Sequence, residues 1–390
     1  MVSITSYLHR TALRDVIARW MRDDPYPDDA VLIAKLLNFN NLYVSRYLGF
    51  LAGEIFRELH GDALAFQRVS RKGVLKDIIT HDPPYRTNRI DSLIGAYQAH
   101  PGRFYGNTPF HGVVYFKQEG PRRIYVGSSR IKRMRRLAEK ASRRIVDGLF
   151  GAAVTEVIED KITAAKNRWT RAPLDDDCLA EERIIDAIEK RRCLPEIGTI
   201  EINDVAGIKL ILEDDERSRF LDLLRRREDC EIIEEEAHRG RYNALNVTVS
   251  FHHPFDELSR EPPDAATLAL MECLGLGAAD SASSFVDFVR TGEKKVRLEI
   301  IISSYLEMLE SEVGRSIHED RIIEQRMNRR YRGHLARNVE YLMEYLFVFP
   351  SSGRRSVGDL PIKLGNRYLP DYFDGVLKEL FGIPAIGNLD

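Results

Sequence analysis

The chain has 390 residues, 44% of them hydrophobic and 30% charged, with a formal net charge of -2 at pH 7. That length favours two or three structural units, and that composition excludes a disordered or fibrous protein. The near-neutral balance excludes wholesale binding of polyanions, so any local basic patch carries information. Cys178, Cys193, Cys230 and Cys273 lie far apart with no C-x-x-C pair, which builds neither a disulfide framework nor a zinc site. The first residues mix charges into their apolar positions, unlike a signal peptide, and no window reaches transmembrane length. A cytoplasmic protein with no membrane partner is expected.

Residues 1–104 read as a helical N-terminal unit. Leu13, Val16, Ile17 and Trp20 recur on one face, and residues 32–59 form a long apolar-rich stretch. His81 and Asp82 match the opening pair of an HD phosphohydrolase, but that chemistry needs further His and Asp ligands on neighbouring helices. Pro83 and Pro84 follow at once, so a turn is expected. Past Tyr105 come the short strands HGVVYFK and RRIYVG. A basic amphipathic helix follows, with Ile131, Met134, Leu137, Ala138 and Ala141 toward the core. A helical insertion over residues 150–192 leads to the run TIEINDVAGIKLIL, DDERSRFLDLLRRRED and CEIIEEE, read as strand, helix and strand. In ALNVTVSF, Leu245, Val247, Val249 and Phe251 alternate with polar residues, the period of a half-buried strand. KKVRLEIIIS is a further strand, and residues 335–390 read as a C-terminal helical extension. The fold class is α+β, a mixed sheet flanked by helices.

Phosphoryl and nucleotidyl transfer need carboxylates for Mg²⁺, cations for a polyphosphate and a surface that orients the acceptor. Asp204 lies just ahead of the strand residues Ile208, Leu210 and Leu212, where a carboxylate can face a cleft or simply enter a turn. Glu299 lies in a strand with Val296, Leu298, Ile300 and Ile302 on one face and Arg297, Glu299 and Ile301 on the other. An acid there faces either solvent or a site. Arg130 and Lys132 stand where a strand passes into the basic helix, with Arg133, Arg135, Arg136 and Lys140 beyond them. A basic helical face is more often solvated than catalytic, but the first two side chains can converge on phosphates. Tyr242, beside Arg239 and Arg241, is suited to stacking on a base or to covering a core edge.

The ordered set of motifs resembles the synthetase domain of the RelA/SpoT family of alarmone synthetases. The motifs are Arg130-Ile-Lys132 with Lys140, Asp204-Val-Ala-Gly-Ile-Lys209, Arg241-Tyr242-Asn-Ala244-Leu245-Asn246, Glu299-Ile-Ile-Ile-Ser303-Ser304, and Glu312-Val-Gly314-Arg-Ser-Ile-His318. The resemblance spans residues 105–334. It implies a nucleotidyltransferase-like core and transfer of pyrophosphate from ATP to the 3′-hydroxyl of a nucleotide, releasing AMP. It further implies that Asp204 and Glu299 are catalytic and bind Mg²⁺, and that Arg130, Lys132 and Lys140 hold the ATP phosphates. Tyr242, Arg239, Arg241, Lys209 and Asn246 would face the acceptor, with Glu312 and His318 in support.

Departures from the family pattern surround the acceptor. Ile301 and Ser303 replace Gln and Arg, Ala244 and Asn246 replace Ser and His, and Lys209 replaces Arg. The acceptor stays open among GDP or GTP, an adenine nucleotide and the 3′ end of tRNA, and so does assembly into a homo-oligomer. A rival alignment would put the R-x-K motif at DDDCLAE, an acidic run that cannot hold phosphate. The alternative function is a catalytically inactive relative that binds nucleotide or RNA. It would use Arg130 to Arg144 and the run Arg326, Arg329, Arg330, Arg332 and Arg337.

Overall fold

The computed structural model describes residues 2–61, 64–165, 176–190, 199–240, 243–252, 254–314, 317–327 and 330–384. Its strands are β1 (Val2–Ile4), β2 (Leu64–Arg71), β3 (Pro109–Glu119), β4 (Arg122–Ile131), β5 (Ile200–Ile202), β6 (Ala206–Ile211), β7 (Cys230–His238), β8 (Ala244–His252) and β9 (Lys295–Ser303). Seven of them form one mixed sheet in the order β2-β3-β4-β6-β9-β8-β7. Only β6 and β9 run parallel within it; the other neighbours are antiparallel. The pair β1 and β5 is a separate parallel ribbon. This is an α+β architecture, a mixed sheet with helices on both faces.

Side-chain alternation decides which face does what. Ile208, Leu210, Val247, Val249, Leu298, Ile300 and Ile302 are all fully buried on one face. They pack in a common core with Ile17, Leu48, Leu51, Ile55, Leu137, Ile145 and Leu342. These come from the helices Arg10–Met21, Asn40–His60, Met134–Ala165 and His334–Val348. The opposite face is covered by a second cluster, in which Leu75, Ile79, Ile90, Ile94, Met308 and Leu309 meet Val114, Phe116 and Tyr125 of β3 and β4. On β6, β9 and β8 the residues of that face are Lys209, Glu299, Ile301, Asn246 and Thr248, all half-buried. The exposed remainder of the second face is where a cleft forms.

Residues 2–104 differ from the helical unit that the pattern suggests. They contain β1 and β2, β2 is an edge strand of the sheet beside β3, and the helix Asn40–His60 shares the core of β6 and β9. Both strands escape periodicity: β1 has three residues, and in β2 only Val69 is buried. The helix Asp29–Ala34 passes through a π-helical turn at Lys35–Phe39 into Asn40–His60. Buried Asn40 steadies that turn, donating to the Leu36 carbonyl at 2.6 Å and accepting the Leu8 N–H at 2.8 Å. Over residues 150–192 the basic helix continues to Ala165, and a second helix runs Asp176–Glu189. His81 ends the helix Lys72–His81, and Asp82 accepts the Arg123 N–H at 3.0 Å, the contact of a turn. Among the described residues, no helix is long and apolar enough to cross a membrane.

Candidate active site

Asp204 lies in the short connection between β5 and β6, held on both sides. Thr5 hydroxyl, just after β1, donates to the Asn203 side chain at 2.8 Å, and the Thr5 N–H donates to the Ile202 carbonyl at 3.2 Å. On the other side, the Lys132 N–H donates to the Val205 carbonyl at 2.8 Å. The two-residue step from β4 into the basic helix is thereby pinned against the aspartate loop. Lys132 on that step and Lys140, two turns along the helix, both donate to the same Asp204 oxygen, Oδ2. The other oxygen, Oδ1, is buried and has no hydrogen-bond partner.

Glu299 enters from the sheet. Its register partners are Gly207 on β6 and Thr248 on β8, and Arg130 of β4 pairs with Gly207 from the far side. One row thus carries Arg130, Gly207, Glu299 and Thr248, and the next carries Ser128, Lys209, Ile301 and Asn246. A Cβ on Gly207 would stand 3.2 Å from the Glu299 carbonyl oxygen, so a side chain there would crowd the strand that bears the acid. Asn246 Nδ2 donates to Glu299 Oε1 at 2.9 Å, which places Asn246 as a partner of the glutamate. Arg130, Lys132, Asp204, Gly207, Lys209, Glu299, Ile301 and Glu312 line one cleft of about 680 Å³, solvent at its mouth included.

The electrostatics follow from two ammoniums sharing one carboxylate. Burial raises the Asp204 pKa, but Lys132 and Lys140 outweigh it and hold the group at about 2, below its ordinary 3.8. Burial and the neighbouring Lys140 push Lys132 down to about 8 against the pull of Asp204. Glu299 is raised, first by burial and then by the Asp204 charge. Because Asp204 titrates lower in the folded chain, its stabilisation is complete above 3.8 and is lost as the pH falls from there through about 2. At 1.36 kcal/mol per unit this amounts to about 2 kcal/mol. Urea titrations between pH 5 and pH 2 should therefore show the wild-type advantage over Asp204→Asn shrinking by that amount; a constant difference would contradict the ion pairing.

The remaining expected residues fall into three groups. Lys209 and Glu312 both line the cleft and meet at 3.7 Å. Arg239 is exposed just past β7 and does not line the cleft. Arg241 and Tyr242 lie outside the described residues, as does the side chain of His318 in the first turn of the helix Ile317–Met327. Periodicity gives no sign of Lys72, Lys76 and Glu319, which are buried beside Glu312. Their one signal is a pair of lysines four residues apart on a helix whose neighbouring positions, Leu75 and Ile79, are core.

No protein-family model matches the chain, and no curated protein matches it. Among solved structures it is similar to the small alarmone synthetase 1 from Bacillus subtilis, at 16% identity. That match covers 55% of this chain and 93% of the other, with a TM-score of 0.20. Likeness at this level leaves fold and chemistry to be argued from the chain's own residues.

Proposed function

We propose that the cleft carries out Mg²⁺-dependent transfer of pyrophosphate from ATP to the 3′-hydroxyl of a nucleotide or of the 3′ end of tRNA, on a nucleotidyltransferase-like core. The observation that carries this reading is one cleft holding Asp204 and Glu299 against Arg130 and Lys132, with Lys140 bonded to Asp204 from the basic helix. Two carboxylates alone repel a polyphosphate. With cations on one side and a divalent ion between, the same pair becomes a binding site.

The residues fit such an ion. Asp204 Oδ1 is buried without a partner, and Glu299 is raised by burial and by Asp204, so both acids gain from a nearby divalent charge. Among the described residues no group of three or more acidic, His or Cys side chains could hold a metal. Mg²⁺ commonly takes only one or two carboxylates and completes its shell with water and substrate phosphate. When bound, it would neutralise charge on the transferring phosphates. Lys132, Lys140 and Arg130 orient those phosphates. Glu299, steadied at Oε1 by Asn246, takes the proton of the attacking hydroxyl at Oε2, and its raised pKa suits that task. The new bond joins the 3′-oxygen to the β-phosphorus, the α–β bridge breaks, and AMP leaves.

The test is incubation with Mg²⁺, labelled ATP and, in turn, GDP, GTP, ADP or tRNA, with AMP release as the readout. AMP appearing with one of them supports transfer. Nucleotide binding with no AMP from any acceptor would replace the enzyme by a regulatory binder, a reading favoured by the two lysines that occupy Asp204. Those lysines give a further expectation. Ammonium and metal compete for the same carboxylate, so Lys132→Met with Lys140→Met should bind free Mn²⁺ about tenfold more tightly, which corresponds to about 1.4 kcal/mol of local repulsion relieved. The same double variant should bind ATP more weakly. Paramagnetic resonance of Mn²⁺ reads the first effect and calorimetry the second; unchanged Mn²⁺ affinity would contradict the competition.

A further inference from the structure

Buried charge collects in one place that the proposed chemistry does not use. Lys72 opens the helix Lys72–His81, and its Nζ lies 2.6 Å from Glu312 Oε2 and 3.6 Å from Glu319 Oε1. One turn on, Lys76 Nζ lies 3.5 Å from Glu319 Oε1 and donates to the Phe104 carbonyl at 2.7 Å. Lys72, Lys76, Glu312 and Glu319 are 5%, 0%, 7% and 7% exposed, so all four charges have left water. Removing an ion from water costs several kcal/mol, and apolar side chains of like size usually serve packing better. Packing alone therefore gives no reason for this set.

The second oxygen of Glu312 gives one. Glu312 Oε1 lies 3.7 Å from Lys209 Nζ, so this carboxylate is divided between Lys72, which does not line the cleft, and Lys209, which does. The nearer partner takes the larger share, because Coulomb attraction falls with distance. We infer that Lys72 is a positioning residue for the cleft: by holding Glu312 at one oxygen, it keeps Glu312 from closing on Lys209 and leaves the Lys209 ammonium free to meet substrate phosphate. This rests on the proposed transfer only for the identity of that phosphate. The groups facing Lys209 are Glu312, Lys72 and Glu319 from the helical side and Arg130 from β4. Burial first, and then Lys72 and Arg130 against Glu312, bring Lys209 down to about 8.

Two substitutions should act in opposite directions. In Lys72→Met, Glu312 turns further toward Lys209, so the Lys209 titration moves up by about one unit, a tenfold change. KM for the acceptor then rises about tenfold while KM for ATP stays. In Glu312→Gln, Lys209 loses its acid and its titration moves down. Lys72→Arg keeps the charge and should restore the wild-type values. The measurement is the Lys209 Nζ titration by NMR on the full chain carrying ¹³C-labelled lysine, with steady-state kinetics beside it. If Lys72→Met does not fold, Lys72→Gln removes the same charge and should give the same upward movement, and Glu312→Gln still reads the opposite one. Titrations that move together, or not at all, overturn the inference, as does an equal rise of both KM values. Absence of AMP with every acceptor would overturn the transfer reading instead, because the titrations are measured without turnover.

Discussion

Asp204→Asn should lose AMP-forming transfer by about 10³-fold while still binding ATP as well as, or better than, the wild type. The scale is that of several kcal/mol of transition-state charge stabilisation at 1.36 kcal/mol per decade. The direction for ATP follows from charge: Lys132 and Lys140 lose the anion they share at Oδ2 and are left for phosphate. Asparagine keeps the size of the side chain, and its amide oxygen still accepts a hydrogen bond from one lysine, so the loop between β5 and β6 retains its shape. AMP release and calorimetric ATP binding read the two effects separately. Transfer at the wild-type rate would remove Asp204 from the chemistry, and loss of ATP binding would make it a folding residue.

Gly127→Ala should lower the stability of the whole protein by about 3 kcal/mol or more, the upper range for an overpacked core. A Cβ built at Gly127 in β4 would stand 2.2 Å from the Lys209 carbonyl oxygen and 2.5 Å from the Phe56 ring. The first obstacle is backbone in the adjoining strand β6, which cannot turn aside as a flexible side chain does. Phe56 is fully buried and stacks on Tyr115 with centroids 4.2 Å apart, so it has no space to yield. Relief requires β4 and β6 to separate at the row where Gly127 meets Leu210, next to Lys209. Thermal unfolding should show a fall of roughly 5 °C or more, and the part of the cleft lined by Lys209 should loosen with it. An unchanged melting temperature would mean that β4 and β6 are not packed this closely.

The central strands were legible because burial on one face leaves a period of two. Val296, Leu298, Ile300 and Ile302 against Arg297, Glu299 and Ile301 marked both the strand and the face that bears the acid, and β9 is built that way. β2 left no such trace, since an edge strand buried at Val69 alone needs no alternation. Asp204 and Lys132 could be named because each sits at the end of a readable element, and Lys140 because it lies on the basic helix that follows Lys132. Lys72 could not: its partner Glu312 is 240 residues away, and nothing local to either residue requires the other. For Asn246 the unread part was its neighbour: a hydrogen bond across strands, fixed only by register, pairs it with Glu299.

The ribbon of β1 and β5 has a consequence for how the molecule comes together in time. Thr5 reaches Asn203 across 198 positions, and Ser6 reaches the Arg297 carbonyl across 291. Contacts of such span form late, because the entropy of closing so long a loop must be overcome before they can contribute. The helices and hairpins nearby need no such closure. A chain already folded elsewhere therefore holds Asp204 from the Lys132 side alone, and the loop is fixed on both sides when these two distant stretches meet.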